Sequence, residues 1–101
     1  MSAATDLSFC RAERLPFRRL DDETVIINPT SREVHVLNGT GSRLWDLLEA
    51  PHTVPELVRT IVREGELDVG EETVTHDVIS FLDELVHKGL LLVARTDGRA
   101  A

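Results

Sequence analysis

The chain has 101 residues, of which 42% are hydrophobic and 29% charged, and its formal net charge is −7; these values predict one globular domain with a modest core. The single cysteine, Cys10, excludes an internal disulfide and any metal site built from several cysteines. The acidic balance argues against nucleic acid as a partner, because such binding depends on cationic side chains that neutralise phosphates, and favours a neutral or mixed-charge polypeptide.

In the first part of the chain, the apolar residues do not recur at the spacing of a helix or a strand. Residues 1–15 are therefore expected to form a tail or an extra strand. The start lacks the basic segment and apolar core of a signal peptide, and no apolar run is long enough to span a membrane. We expect a cytoplasmic protein without a membrane partner. Cys10 has no evident base beside it in the sequence, and we interpret it as a surface or half-buried thiol.

Three strands are predicted next. Residues 16–20 alternate weakly, and Thr24–Asn28 is β-branched and apolar, as strands prefer. Asn28-Pro29-Thr30-Ser31 has the composition of a turn, and Glu33–Leu37 is the return strand. The pattern predicts a three-stranded antiparallel sheet.

Three helices follow the sheet. The first is predicted over residues 40–49 with Asn38 or Thr40 as its N-cap. The second begins at the capping box formed by Thr53 and Glu56 and ends before Gly65. The third is predicted over residues 71–88 and ends at Gly89, after which residues 90–93 form a short strand or an apolar tail. The fold class is therefore α+β, winged helix-turn-helix-like, with the domain over residues 16–93 and a C-terminal tail over residues 94–101.

The sequence shows no pattern of catalytic or metal-binding residues. None of the four histidines has a second ligand at metal-binding spacing, and the acids of the third helix form no acid/base pair at a credible spacing. Gly39-Thr40-Gly41-Ser42 precedes a helix but lacks the lysine of a phosphate-binding loop. We expect no enzyme activity, no cofactor and no metal.

The third helix has an unusually broad apolar arc. Val74, Val78, Phe81 and Leu85 define a core face, and the arc extends to one side only, through Ile79, Leu82 and Val86. Two interpretations stay open: either the helix is buried on two sides, or it lines an apolar groove beside the strand Glu33–Leu37. That strand has an edge that can pair with a strand from another chain, unless residues 1–14 or a dimer partner cover it.

Several ordered fragments carry a resemblance to a known family. They are His35-Val36-Leu37-Asn38, Thr40-Gly41, Leu44-Trp45-Asp46-Leu47-Leu48, Thr53-Val54-Pro55-Glu56-Leu57, Asp77-Val78, Phe81-Leu82, Leu85 and Gly89-Leu90-Leu91. With them, residues 20–93 resemble the PqqD-like family, the peptide-recognition domains of pathways that modify ribosomally made peptides. His35 departs from the pattern, since many members have an aromatic residue there.

The resemblance implies a non-catalytic protein that binds the leader segment of a precursor peptide as an added strand, between the third strand and the third helix. A separate modifying enzyme, either a radical-SAM maturase or a leader peptidase with its cyclase, is the second implied partner. Carried onto this sequence, the implied peptide-binding residues are Glu33, Val34, His35, Val36, Leu37, Val78, Ile79, Leu82 and Val86. The residues alone do not determine which face of the strand meets the peptide.

Two other hypotheses belong to different classes. A winged helix suggests a DNA-binding regulator, but the third helix has five acids and one lysine at its end, which disfavours entry into a groove of DNA. A free strand edge also suits a small module that pairs with its own copy as a homodimer.

Overall fold

The computed structural model of the chain describes residues 7–65 and 70–95. No helix within these two ranges is both long enough and apolar enough to cross a membrane. The elements of the described residues follow in the order β1 (Leu7–Arg11), β2 (Phe17–Leu20), β3 (Glu23–Asn28), β4 (Glu33–Leu37), α1 (Gly39–Leu47), β5 (His52–Thr53), α2 (Val54–Glu64), α3 (Glu71–His87) and β6 (Leu91–Arg95).

The predicted three-stranded sheet is confirmed. Its order is β2-β3-β4, and both pairs are antiparallel. The turn between β3 and β4 is held by the Asn28 side chain, whose Oδ1 accepts hydrogen bonds from the main-chain nitrogens of Thr30 (3.0 Å) and Ser31 (3.3 Å). Local turn chemistry thus fixes the register that places Ile26 opposite His35.

A second sheet corrects the predicted order of three strands followed by three helices. Its order is β5-β1-β6, and β1 is antiparallel to both neighbours. Phe9 of β1 lies opposite His52 and Val93. The strands are far apart along the chain, so no local pattern reveals their pairing. The fold is α+β, with two small antiparallel sheets around three helices. Of the predicted tails, residues 1–6 and 96–101 lie outside the described residues.

The helix ends agree with their predicted signals. Asn38 is the N-cap of α1, and its Oδ1 accepts a hydrogen bond from the main-chain nitrogen of Gly41 at 2.9 Å. The capping box of α2 is complete: Thr53 Oγ1 accepts from the nitrogen of Glu56, and Glu56 Oε1 accepts from the nitrogen of Thr53. The α2 helix ends at Gly65, whose φ of 68° favours glycine.

The core lies where α1, α2 and α3 meet the two sheets. Trp45 of α1 is fully buried, and its ring meets the Phe17 ring edge-on at 5.6 Å between centroids. The largest fully buried side chains around it belong to Ile26, Leu48, Leu57, Ile61, Leu82, Leu85 and Leu90. The buried core residues come from β1, β3, β4, β6 and all three helices, whereas β2 and β5 contribute none.

A buried polar chain ties the first sheet to α1. Arg19 Nε donates to Thr24 Oγ1 at 3.0 Å, and Thr24 Oγ1 donates to Ser42 Oγ at 2.7 Å. Ser42 Oγ in turn donates to the main-chain oxygen of Leu37 at 3.3 Å. Because Thr24 and Ser42 are both buried and both partnered, the chain fixes the end of β4 against α1.

An ion pair joins α1 to α2 and makes stability depend on pH. Arg43 binds both carboxylate oxygens of Glu64, with the shortest contact at 2.6 Å, and this hydrogen bonding lowers the pKa of Glu64. A carboxyl with a lowered pKa stabilises the fold above its unfolded-state pKa, and that contribution is lost as the pH falls through the folded-state pKa. Both side chains are partly exposed, so solvent screens the pair.

We therefore expect Glu64→Gln to lower the free energy of unfolding by up to about 1 kcal/mol near neutral pH. The difference from the wild type disappears in acid, where Glu64 itself is protonated. Urea denaturation at a series of pH values measures the loss of stability near neutral pH and its disappearance in acid. Glu13→Gln is the control, because Glu13 is exposed and lies between β1 and β2, outside the contact of α1 with α2. A cost for Glu64→Gln that stays constant down to the most acidic pH contradicts this assignment.

Candidate functional site

The outer edge of β4 is open. β4 is the last strand in the order β2-β3-β4, and no strand of residues 7–65 or 70–95 pairs with its far side. The main-chain nitrogen of Ile27 in β3 donates to the oxygen of Pro16, on the β2 side, at 2.9 Å. The N–H and C=O groups of successive residues point to opposite edges of a strand. Those of Ile27 and of Val25, two residues away, therefore both point toward β2 and away from β4.

The partners of these two residues expose their main chain. Val34 lies opposite Ile27, and Val36 lies opposite Val25. Because residues that do not exchange hydrogen bonds across an antiparallel pair point their N–H and C=O groups outward, those of Val34 and Val36 face the open edge. Two residues therefore offer up to four main-chain hydrogen bonds to an added strand.

The side chains of β4 alternate between two environments. Val34 and Val36 are 59% and 58% exposed on the outer face of the sheet. His35 and Leu37 lie on the inner face, toward α3, and Leu37 is buried. Because successive side chains of a strand alternate between its two faces, Glu33, His35 and Leu37 share the helix-facing side of β4.

One face of α3 lies next to this inner side of β4. Gly41 marks the contact, since a Cβ placed there would stand 3.1 Å from Cε1 of Phe81 and 3.3 Å from Cβ of Leu37. Further along the helix, Asn28 Nδ2 donates to the main-chain oxygen of Lys88 at 3.5 Å. Phe81, Glu84 and Lys88 recur at helical spacing, so they form one row along α3.

The electrostatics of this row are mixed. Lys88 Nζ lies 2.8 Å from Glu84 Oε2, and this hydrogen bond lowers the pKa of Glu84, with smaller contributions from the charge of Lys88 and from nearby His35. At the other end of the row, a recess of about 270 Å³ opens between Asn38, Gly41, Leu44, Val78 and Phe81. Its lining is mixed, since Thr40 and Asp77 also border it beside the apolar side chains.

The helix residues that the resemblance implies for peptide binding do not all lie on the side of α3 next to β4. Val78 is buried beneath the recess. Ile79, Leu82 and Val86 face the other way, into a hollow of about 330 Å³ that they share with Leu7, Phe9, Val54 and Val93. The broad apolar arc of α3 exists because the helix also covers the second sheet.

Sequence reasoning missed Phe81 and Glu84 as groove residues. The periodicity of the sequence places Phe81 on the core face of α3, and its side chain is partly buried against the core cluster. The periodicity of α3 shows which residues share a face but not which neighbour each face meets. A signal was present in Gly41, whose missing side chain allows Phe81 to approach Leu37.

The other candidate chemistries find little support in the described residues. No group of three or more His, Cys, Asp or Glu side chains in them is placed to hold a metal ion. The first turn of α1 is engaged internally, because Asn38 accepts the hydrogen bond from Gly41 and the Ser42 hydroxyl is bonded to Thr24 and Leu37. Cys10 is half-buried in β1 as a free thiol.

Solved structures of similar shape are complexes or recognition domains. TbiB1 in complex with the TbiA(beta) leader peptide has a TM-score of 0.73 and 30% sequence identity, over 91% of this chain and 99% of that one. Lasso peptide synthetase B1 complexed with the leader peptide has a TM-score of 0.72 and 19% identity, over 83% and 96%.

A third structure matches in fold. The PqqD truncation of Methylobacterium extorquens PqqCD, described as a stand-alone RiPP recognition element, has a TM-score of 0.68 and 15% identity, over 84% of this chain and 88% of that one. No curated protein matches this sequence. The model of the family described as coenzyme PQQ synthesis protein D matches residues 23–91. These residues are well over half of the chain and include β3, β4 and all three helices, so the chain belongs to the PqqD family.

Proposed function

We propose that this protein is a non-catalytic recognition element that captures the leader segment of a ribosomally made precursor peptide in the cytoplasm. The leader adds as a strand to the open edge of β4 and is presented to a separate modifying enzyme. The observation that carries the proposal is the outward main chain of Val34 and Val36, which lies beside the α3 row of Phe81, Glu84 and Lys88.

Strand addition explains how one small surface can bind a peptide both tightly and selectively. Main-chain hydrogen bonds to Val34 and Val36 supply affinity for any extended peptide, and alternate side chains supply the selection. The peptide side chains on the side of the sheet toward α3 meet Phe81 and the recess beside it. The peptide side chains on the opposite side extend the exposed apolar surface of Val34 and Val36.

The comparison with known complexes supports the same ligand class. The structure that is 30% identical over most of both chains contains a leader peptide by its own description. For the modifying enzyme, a radical-SAM maturase and a leader peptidase with its cyclase are the two classes compatible with this role. The genes that neighbour the coding sequence identify which of them is the partner.

A second candidate function uses the same edge. The order Val34-His35-Val36 is symmetric about His35, so two copies can pair their β4 strands antiparallel with valine opposite valine. Such a homodimer would compete with the leader for one surface. Sedimentation of the free protein, followed by addition of peptide, separates the two roles.

The proposal predicts a localised response in a chemical-shift titration. Labelled protein is titrated with the TbiA(beta) leader peptide and with leader peptides encoded beside its gene. We expect the largest amide shifts in β4, from Glu33 to Leu37, and in α3 near Phe81 and Glu84, because these groups gain a neighbour. A scrambled peptide of the same composition is the control.

Two outcomes contradict the proposal. One is the absence of any shift with every leader tested. The other is a response confined to the residues around the second hollow, such as Ile79 and Val86, because that pattern places the peptide against the second sheet.

A further inference from the structure

The imidazole of His35 is an unsatisfied polar group inside the proposed groove. Its side chain is only 10% exposed, and its Nε2 atom is buried with no hydrogen-bond partner among the described residues. The nearest carboxylate oxygen is Glu33 Oε1 at 3.6 Å, beyond hydrogen-bonding distance. A buried nitrogen without a partner costs free energy, which a ligand that supplies the partner recovers.

The charged groups around His35 are mainly acidic. Glu33 lies on the same face of β4, and Glu84 belongs to the row of α3 next to that face. The only nearby cation on the same row of α3 is Lys88, whose Nζ already lies 2.8 Å from Glu84. The cross-strand neighbour on β3, Ile26, is apolar and fully buried. A ligand group that enters here meets the unpartnered Nε2 atom of His35 and a carboxylate on the rim.

We propose that His35 and Glu33 form a subsite for a cationic side chain, lysine or arginine, of the leader peptide. This inference rests on the proposed function. The ammonium or guanidinium group donates one hydrogen bond to His35 Nε2 and another to the Glu33 carboxylate. Glu33 is 64% exposed, so the cation keeps part of its hydration and the cost of desolvation stays small.

The geometry of strand addition delivers such a side chain. A residue directly opposite His35 on an added strand projects its side chain to the same face as His35, with the two Cβ atoms about 5 Å apart. That face is the one toward α3. Lysine and arginine are long enough to pass the imidazole and reach the Glu33 carboxylate, with their apolar stems against the strand.

The test uses matched versions of the TbiA(beta) leader peptide. Nuclear Overhauser effects between protons of the bound peptide and the His35 ring first identify the peptide residue opposite His35. That residue is then replaced by lysine and, in a second peptide, by norleucine, which keeps the stem and removes the charge. Fluorescence anisotropy measures the Kd of each peptide at low and at high salt.

We expect the lysine peptide to bind wild-type protein about threefold to tenfold more tightly than the norleucine peptide at low salt, with a smaller ratio at high salt. Glu33→Gln and His35→Phe each bring the ratio close to one. Glu23→Gln preserves it, because Glu23 makes the same change of charge opposite Leu20, at the other end of β3 from Glu33. The exposed position of Glu33 makes Glu33→Gln safe for folding even if His35→Phe is unstable.

Two outcomes overturn the inference. If the peptides bind to β4 and lysine gives no advantage, or an advantage that survives Glu33→Gln, the cationic subsite is wrong and the proposed function stands. If neither peptide nor their parent binds, and leaders encoded beside the gene leave β4 unmoved, the proposed function and the subsite fall together.

Discussion

Replacing Val36 by proline is expected to weaken leader-peptide binding by about 30-fold or more, which is about 2 kcal/mol. The N–H group of Val36 faces the open edge of β4, as its pairing with Val25 shows. Proline removes this donor, and its ring occupies the place where the added strand would lie. The hydrogen bonds from β4 to β3 belong to the residues on either side of Val36, so they are retained.

The controls for this experiment isolate the main chain from the side chain. Val36→Ala keeps the N–H group and loses only exposed apolar surface, so we expect a change in Kd of about threefold or less. Thermal unfolding of both variants checks that the sheet is intact, since proline is tolerated on edge strands. Val36→Pro protein that is folded and binds the leader as tightly as wild type would exclude strand addition at β4.

The largest effect on stability is expected at Trp45. Its side chain is 0% exposed, packs edge-on against Phe17, and lies 5.3 Å from the guanidinium carbon of Arg11. Trp45→Ala leaves a cavity in the middle of the core and should reduce the free energy of unfolding by about 3–5 kcal/mol. The free energy of unfolding of a native domain is about 5–15 kcal/mol in total, so this loss is a large fraction of it.

Urea denaturation followed by circular dichroism measures this loss, because the substitution removes the only tryptophan. Trp45→Phe is the matched control: it keeps an aromatic ring in the core, and we expect a cost of about 1–2 kcal/mol. A cost for Trp45→Ala below about 1 kcal/mol would mean that the space closes without penalty. That result would contradict the packing of Trp45 against Phe17.

The predictable parts of this fold are those whose causes are local. The Asn28 turn, the Asn38 cap and the Thr53–Glu56 capping box each depend on residues within a few positions of one another. Their interactions are nearly the same in any tertiary setting. For that reason the first sheet and the limits of all three helices follow from the sequence with errors of only one or two residues.

The second sheet and the wall of the groove depend on long-range contacts. β1 joins β6 across nearly the whole described chain, and neither strand alone carries a signal for its partner. The same pairing explains the broad apolar arc of α3, since Ile79 and Val86 cover the second sheet. The strand of the groove was predictable from its pattern, whereas the choice of Phe81 and Glu84 as its wall required the positions of both sheets.

The pairing of β1 with β6 also determines the order in which the chain can fold. Ser8 and Ala94 are neighbours although they are 86 positions apart, whereas β2, β3, β4 and α1 contact one another within a short stretch of sequence. Closing a long loop costs more chain entropy than closing a short one and slows folding. On a ribosome, β1 emerges before β6 and stays without this partner until the long stretch between the two strands has been made. The half of the molecule that carries the open edge of β4 is therefore able to form before the half in which β1 pairs with β6.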